Sequence, residues 1–295
     1  MSPPADRSVD LRGLSFHYRD WGGEGQPLVL LHGLASNARF WDLAAPHLAE
    51  AFRTVALDQR GHGASARPDD GYDFPTVAGD VAAFLGALGL QRPIVVGHSW
   101  GGNVAAQVAA DYPHRVAGIV CVDGGFIEPA SAPGATWEET ARRLAPPDWE
   151  ALDLTWEELL ERARTWATAP SWGERLADFL RANFDVLESG KVRPRLTRER
   201  HLRILRAIWE QRVSTLYPRI PCPVLLLPAR QRGGATTGPT RPPEDKEAHV
   251  ERVRHLLRRH RLVWLEDAIH DVPVQRPREV AQAIIQAARE GFFDG

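Results

Sequence analysis

Between residues 14 and 122 the chain alternates short apolar runs with segments of helical spacing. This alternation limits the possible folds more than any other feature. Leu14 to Trp21 reads as a strand ended by Gly22-Gly23. Pro27 to Leu31, Arg53 to Leu57, Pro93 to Val96 and Val116 to Val122 read as further strands. Residues 38–50, Thr76 to Leu88 and Gly101 to Tyr112 read as helices, with Val77, Val81, Phe84, Leu85 and Leu88 sharing one face of the second. The later strands are continuous apolar runs, as expected when both faces of a sheet are covered. The predicted architecture is therefore α/β: a mostly parallel central sheet flanked by helices.

The pattern changes after residue 125. Residues 126–217 show no convincing strand and read as helices broken by Pro129, Pro133, Pro146-Pro147, Pro170 and Pro194. Trp137, Trp149, Trp156, Trp166, Trp172 and Trp209 all fall there. We expect a helical cap inserted into a core formed by residues 1–125 and 218–295, with the tryptophans packing the cap or lining what it covers. The sheet resumes at Pro223 to Leu227. A loop rich in Gly, Pro, Thr and Arg then runs from Pro228 to Asp245. At about 18 residues it exceeds most connections in compact domains, and a gate over a site or a surface excursion would account for it. Residues 246–259 read as a basic helix whose charges form a solvated face. Arg261 to Leu265 is the last expected strand, and Pro277 to Glu290 the last helix, with Val280, Ala283, Ile284 and Ala287 inward.

Composition removes several functional classes. The net charge of −2 creates no field that would favour nucleic acid. No apolar run approaches the ~18 residues needed to span a bilayer. The first residues, Met-Ser-Pro-Pro-Ala-Asp-Arg, lack the apolar core of a secretory signal, so a cytoplasmic protein is expected. Cys121 and Cys222 sit in apolar runs and read as buried thiols. No cluster has metal-ligand spacing. No Gly-x-Gly-x-x-Gly opens a helix after the first strand. No metal or cofactor is expected.

Chemistry is concentrated at Gly97-His98-Ser99-Trp100-Gly101, between a strand and a helix. A serine hydroxyl is a poor nucleophile unless a base, a group that orients the base and oxyanion donors surround it. A sharp strand-to-helix turn supplies part of this. It exposes Ser99, and it aims the Trp100 N–H and the positive helix end at the reacting centre. Glycine at positions 97 and 101 leaves room for the tight turn. His32-Gly33-Leu34 ends an earlier strand, and the Leu34 N–H is the candidate second oxyanion donor. The His32 side chain reads as a buried histidine bonded to backbone.

Of the eleven histidines, only His270 lies in a loop directly after a C-terminal sheet strand. That places it at the carboxyl edge of the sheet, near Ser99. His47, His114, His201, His249, His255 and His260 read as helix-surface residues, and His62 and His98 as turn and packing residues. The order serine, acid, histidine is that of an α/β-hydrolase triad.

With these motifs the sequence resembles the α/β-hydrolase superfamily over nearly its whole length. The resemblance rests on His32-Gly33, Asp58 to Gly63 with Ala64-Ser65, the Ser99 turn and the His270 turn. It implies a serine esterase-like hydrolase with a catalytic triad, a nucleophile elbow and an oxyanion hole. It also excludes the haloalkane dehalogenase and epoxide hydrolase pattern, in which Asp stands where this chain has Ser99. The acid departs from the usual pattern. Most members carry it after the strand that here is Pro223 to Leu227, yet Pro228-Ala229-Arg230-Gln231-Arg232-Gly233 holds no carboxylate. Asp123, at the end of the preceding strand, is the preferred acid. Glu244 or Asp245, at the far end of the long loop, is the alternative.

The expected reaction is hydrolysis of a small to medium hydrophobic carboxylic ester, with Ser99, His270 and Asp123 catalytic and Leu34 and Trp100 forming the oxyanion hole. Lactone, amide or carbon–carbon bond hydrolysis on the same scaffold are alternatives, as is a slow-turnover ligand receptor that keeps the triad. A hydroxynitrile lyase is disfavoured because no lysine is expected beside the site.

Overall fold

The structure is a computed structural model, described here over residues 3–230 and 243–294, less the side chains of residues 150 and 243–245. Its strands are β1 (Ala5–Leu11), β2 (Leu14–Gly22), β3 (Pro27–Leu31), β4 (Arg53–Leu57), β5 (Ile94–His98), β6 (Gly118–Val122), β7 (Phe184–Val186), β8 (Val192–Pro194), β9 (Val224–Leu227), β10 (Ala229–Arg230), β11 (His260–Leu262) and β12 (Leu265–Glu266). Its α-helices are α1 (Ala45–Leu48), α2 (Phe74–Ala87), α3 (Trp100–Asp111), α4 (Trp137–Leu144), α5 (Trp149–Leu152), α6 (Trp156–Ala163), α7 (Ala169–Trp172), α8 (Arg175–Asn183), α9 (Arg198–Glu210), α10 (Pro243–Leu256), α11 (Val272–Gln275) and α12 (Pro277–Arg289).

Eight strands form the central sheet in the order β1-β2-β4-β3-β5-β6-β9-β11. Only the β1–β2 and β2–β4 pairings are antiparallel. The remaining pairings are parallel. Alternate residues of each inner strand face opposite sides. Val29, Leu31, Val95, Ile119 and Leu226 pack with α2, α3, α9 and α10 on one side. Leu28, Leu30, Val96, Val120 and Leu225 pack with α1, α12 and α6 to α8 on the other. Each fully buried side chain of this kind contributes roughly 1.5–3 kcal/mol. The predicted α/β class and mostly parallel sheet are what the structure has.

Four local readings need correction. β1 has no counterpart among the expected strands because it is a polar edge strand, ADRSVDL, exposed except near its end, with no apolar alternation to reveal it. Residues 38–50 form a short 3₁₀ turn, Ala38–Trp41, and a separate α1 rather than one helix. The segment 126–217 does contain strands, since β7 and β8 pair as a hairpin. At three residues each they are too short for periodicity to register. The expected strand Arg261 to Leu265 divides into β11, which joins the main sheet, and β12, which pairs with β10. Of the long loop, residues 231–242 lie outside the described residues, so its reading as a gate falls there too.

The helices and hairpin between β6 and β9 bury their apolar side chains in both core clusters. Arg67 pairs with Asp185 at 2.9 Å, Arg195 donates to the Gly63 carbonyl at 3.1 Å, and Arg200 pairs with Asp69 at 2.8 Å. These bonds tie the segment to the loop after β4, across the carboxyl edge of the sheet. Among the described residues no helix is long and apolar enough to cross a membrane.

Candidate active site

Ser99 lies between β5 and α3 with φ of 53°, a left-handed conformation that disfavours residues with a Cβ. Its backbone is fixed on both sides: the Ser99 N–H donates to the Val122 carbonyl at 3.1 Å, and the Ser99 carbonyl accepts from Gly102 at 2.9 Å. The turn needs its two glycines. A Cβ at position 97 would overlap the Gly101 carbonyl, and one at position 101 would come within 2.6 Å of the Leu31 and His32 carbonyls.

His270 approaches from the loop between β12 and α11. Its Nε2 is 2.9 Å from the Ser99 hydroxyl oxygen and its Nδ1 is 2.7 Å from Asp123 Oδ2. A carboxylate only accepts, so Nδ1 carries the proton and Nε2 is free to accept from the serine hydroxyl. The loop is held by the Ile269 N–H, which donates to Gln275, and by the His270 carbonyl, which accepts from His98 Nε2 at 2.9 Å.

Asp123 directly follows β6 and has φ of 40°. Its side chain is completely buried, and its N–H donates to the Leu227 carbonyl on the neighbouring strand. Oδ1 accepts from the Ala229 N–H at 2.9 Å. Burial alone would raise the carboxyl pKa. The hydrogen bond and charge of His270, then Lys246 and the Ala229 N–H, outweigh burial and bring it down to about 2. Burial pulls His270 down, but the bond to Asp123, the Asp123 charge and the Asp271 charge leave it above the ordinary histidine value. The structure thus brings Ser99, His270 and Asp123 into one hydrogen-bonded line. The side chains of the alternative acids, Glu244 and Asp245, lie outside the described residues.

Leu34 and Trp100 both line the cavity beside Ser99. Neither N–H meets an acceptor among the described residues, and the Trp100 N–H belongs to the first turn of α3, where the helix itself offers none. The loop before Leu34 is fastened by His32, whose Nδ1 donates to the Gly33 carbonyl at 2.7 Å and whose Nε2 accepts from the Gln59 N–H. The next amide, of Ala35, donates to His62 Nε2 at 3.2 Å. Burial depresses His32, and drives His62 and His98 each down to about 3, so all three rings serve as neutral fasteners.

The line of residues opens into a cavity of about 510 Å³ between the sheet edge and the 126–217 segment. Its walls are largely apolar: Phe40, Phe126, Leu144, Trp149, Trp166 and Trp172 contribute. Three of the six segment tryptophans therefore face the cavity, while Trp137 packs on Trp209 and Trp156 lies under the Arg181 guanidinium.

Three cavity residues contradict the sequence reading. His201 and His249 are buried and line the cavity rather than a helix surface. Their helices carry so many charges that the inward face is masked. The third, Lys246, places an ammonium in the site, contrary to the expectation of no lysine there and of a fully solvated face on α10. Its Nζ is 2.9 Å from each Asp123 oxygen and 3.0 Å from the Ala229 carbonyl. Donor atoms of His98, His270 and Asp271 also lie within 4.8 Å of one another, but both His270 nitrogens are engaged by Ser99 and Asp123, so this group belongs to the serine site.

A mostly parallel sheet with a serine, histidine and aspartate meeting at its carboxyl edge defines an α/β protein built like a serine hydrolase. Residues 26–217 match the alpha/beta hydrolase fold family, and the chain belongs to it. Over 117 residues it is 35% identical to a 2-(acetamidomethylene)succinate hydrolase of Mesorhizobium japonicum, covering 40% of this chain and 42% of that one. Over 104 residues it is 41% identical to a bifunctional esterase/perhydrolase of Acinetobacter calcoaceticus, covering 35% of this chain and 38% of that one. The chain thus spans less than half the length of these curated relatives. The crystal structure of an E-2-(acetamidomethylene)succinate hydrolase superposes with a TM-score of 0.75 at 21% identity, covering 96% of this chain and 98% of the other, a likeness of fold.

Proposed function

We propose that this chain is a serine hydrolase that cleaves small to medium hydrophobic carboxylic esters through an acyl-enzyme on Ser99. His270 Nε2 takes the hydroxyl proton as Ser99 Oγ attacks the ester carbonyl. The Leu34 and Trp100 N–H groups receive the oxyanion. His270 returns the proton to the departing alcohol, then takes one from water as it attacks the acyl carbon, and gives it to Ser99 Oγ as the acyl–oxygen bond breaks and the acid leaves. Asp123 holds the imidazole tautomer and stabilises the imidazolium. Residues 126–217 act as the cap that roofs the cavity.

The observation that carries this reading is the bonded line Ser99–His270–Asp123 opening into an apolar cavity of about 510 Å³. That size suits a small ligand, and the aromatic walls favour a hydrophobic acyl or aryl group. An amide is the second reading, favoured by the relative named for an acetamido compound. Multiple turnover on p-nitrophenyl esters distinguishes an enzyme from a receptor that gives one stoichiometric burst. Ser99→Ala should fold normally and lose turnover. Undiminished hydrolysis by that variant would remove Ser99 as nucleophile.

A further inference from the structure

We propose that Lys246 is a positioning residue of the Ser99 site, its ammonium clamping both oxygens of Asp123 and the Ala229 carbonyl so that the acid stays fixed against His270. The role rests on the serine-hydrolase reading of the site. An ammonium has three donors. Here they meet three acceptors at 2.9, 2.9 and 3.0 Å. Although Lys246 lines the cavity, it has no donor left for a substrate carboxylate.

The need for such a clamp follows from where the acid sits. Asp123 directly follows β6, and Ala229, just past the end of the adjacent β9, carries no carboxylate. Ala229 instead offers its N–H to Asp123 and its carbonyl to Lys246. Lys246 thereby staples the two strand ends together through the acid. The choice of residue fits the geometry. Lys191 and Lys246 are the only lysines in the chain, beside thirty-four arginines. A compact ammonium can sit between three converging oxygens, whereas a planar guanidinium presents a wider fork.

The clamp also has an electrostatic consequence. His270 faces Asp123 from β6, Asp271 from its own loop, Lys246 from α10, and the neutral His98 ring at 4.8 Å from β5. The two carboxylates favour the imidazolium and Lys246 opposes it. Lys246 therefore keeps His270 neutral, and able to accept the serine proton, at a lower pH than the carboxylates alone would allow.

The test compares wild type, Lys246→Met, Lys246→Gln and Lys246→Arg. One arm follows the His270 titration by proton NMR of its Nδ1–H, without substrate. The other follows kcat/KM against pH on a short p-nitrophenyl ester. In wild type the acid limb should lie above 6.5, where His270 loses its proton. Loss of the charge in the Met or Gln variant should move both the titration and the limb upward by roughly one pH unit. Arg should restore them toward wild type even if kcat falls. Gln keeps a hydrogen-bond donor and serves if Met does not fold. An unmoved titration in a folded Met or Gln variant overturns the proposal, and so does a change confined to KM, which would make Lys246 a substrate contact. If wild type cleaves no ester, the serine-hydrolase reading fails while the NMR arm still decides the role of Lys246.

Discussion

Ser99 and Asp123 both hold positive φ angles, 53° and 40°, without being glycine. Each such position costs of order 1–3 kcal/mol and persists only where surrounding bonds over-determine it. Both belong to the proposed triad, and both are pinned by backbone bonds to a neighbouring strand. The value of that pinning can be tested at Asp123. Asn fits the same space but cannot stabilise an imidazolium and can hold His270 in the wrong tautomer. Asp123→Asn should lower kcat on an ester on the order of 10⁴-fold. The melting temperature should fall as well, because the Lys246 charge would then face an amide. A loss of less than tenfold would turn attention to Glu244 and Asp245. Ser99, His270 and Asp123 could be named from the sequence because each directly follows a strand or sits in a short motif beside one. Lys246 could not. Its place depends on how α10 returns to the strand ends after residues 231–242, and no local pattern encodes that return.

Most of the strands and helices could be read from apolar patterning because the inner strands are buried on both faces and the helices on at least one. β3 and β4 fall at the expected residues, Pro27–Leu31 and Arg53–Leu57. Elements that lean on a neighbour rather than on the core leave no such pattern: β1, which pairs at the polar edge, and the β7–β8 hairpin. The sheet also has room for the proposed acid one strand earlier than in the α/β-hydrolase pattern that the sequence resembles. β6 and β9 are adjacent, with Val122 opposite Leu227, so their ends lie within reach of the same histidine. One tight junction between elements is the crossing of α3 over the end of β3. A Cβ on Gly101 would meet the Leu31 and His32 carbonyls at 2.6 Å, and backbone cannot rotate aside as a side chain can. Gly101→Ala should therefore push α3 off the strand, at about 1–3 kcal/mol of stability. It should also shift the Trp100 N–H relative to Leu34. Thermal melting and kcat on an ester should both fall. A normal melt with unchanged kcat would show that the turn has slack that these distances do not suggest.

Across the whole molecule, turns at the carboxyl edge of the sheet carry Ser99, His270 and Asp123, and the 126–217 segment supplies the opposite wall. Trp149, on α5, illustrates the division: it lines the cavity and packs edge-on against Phe184, with ring centroids 4.9 Å apart. The overall α/β plan was readable because strand–helix alternation is a long-range signal, whereas the cavity's shape depends on how several short helices settle against one another. If hydrophobic burial in this cavity governs substrate choice, acyl length should show it directly. Each methylene removed from water is worth about 0.8 kcal/mol, or roughly fourfold in kcat/KM. A series of p-nitrophenyl esters should gain by that factor per carbon until the cavity of about 510 Å³ is filled, then drop sharply. Trp149→Leu removes part of the wall without touching Ser99, His270 or Asp123. It should move the break to longer chains while short esters keep their kcat. A break that stays in place would mean that the acyl group lies against another wall. A flat series would mean that the cavity does not bind the acyl chain at all.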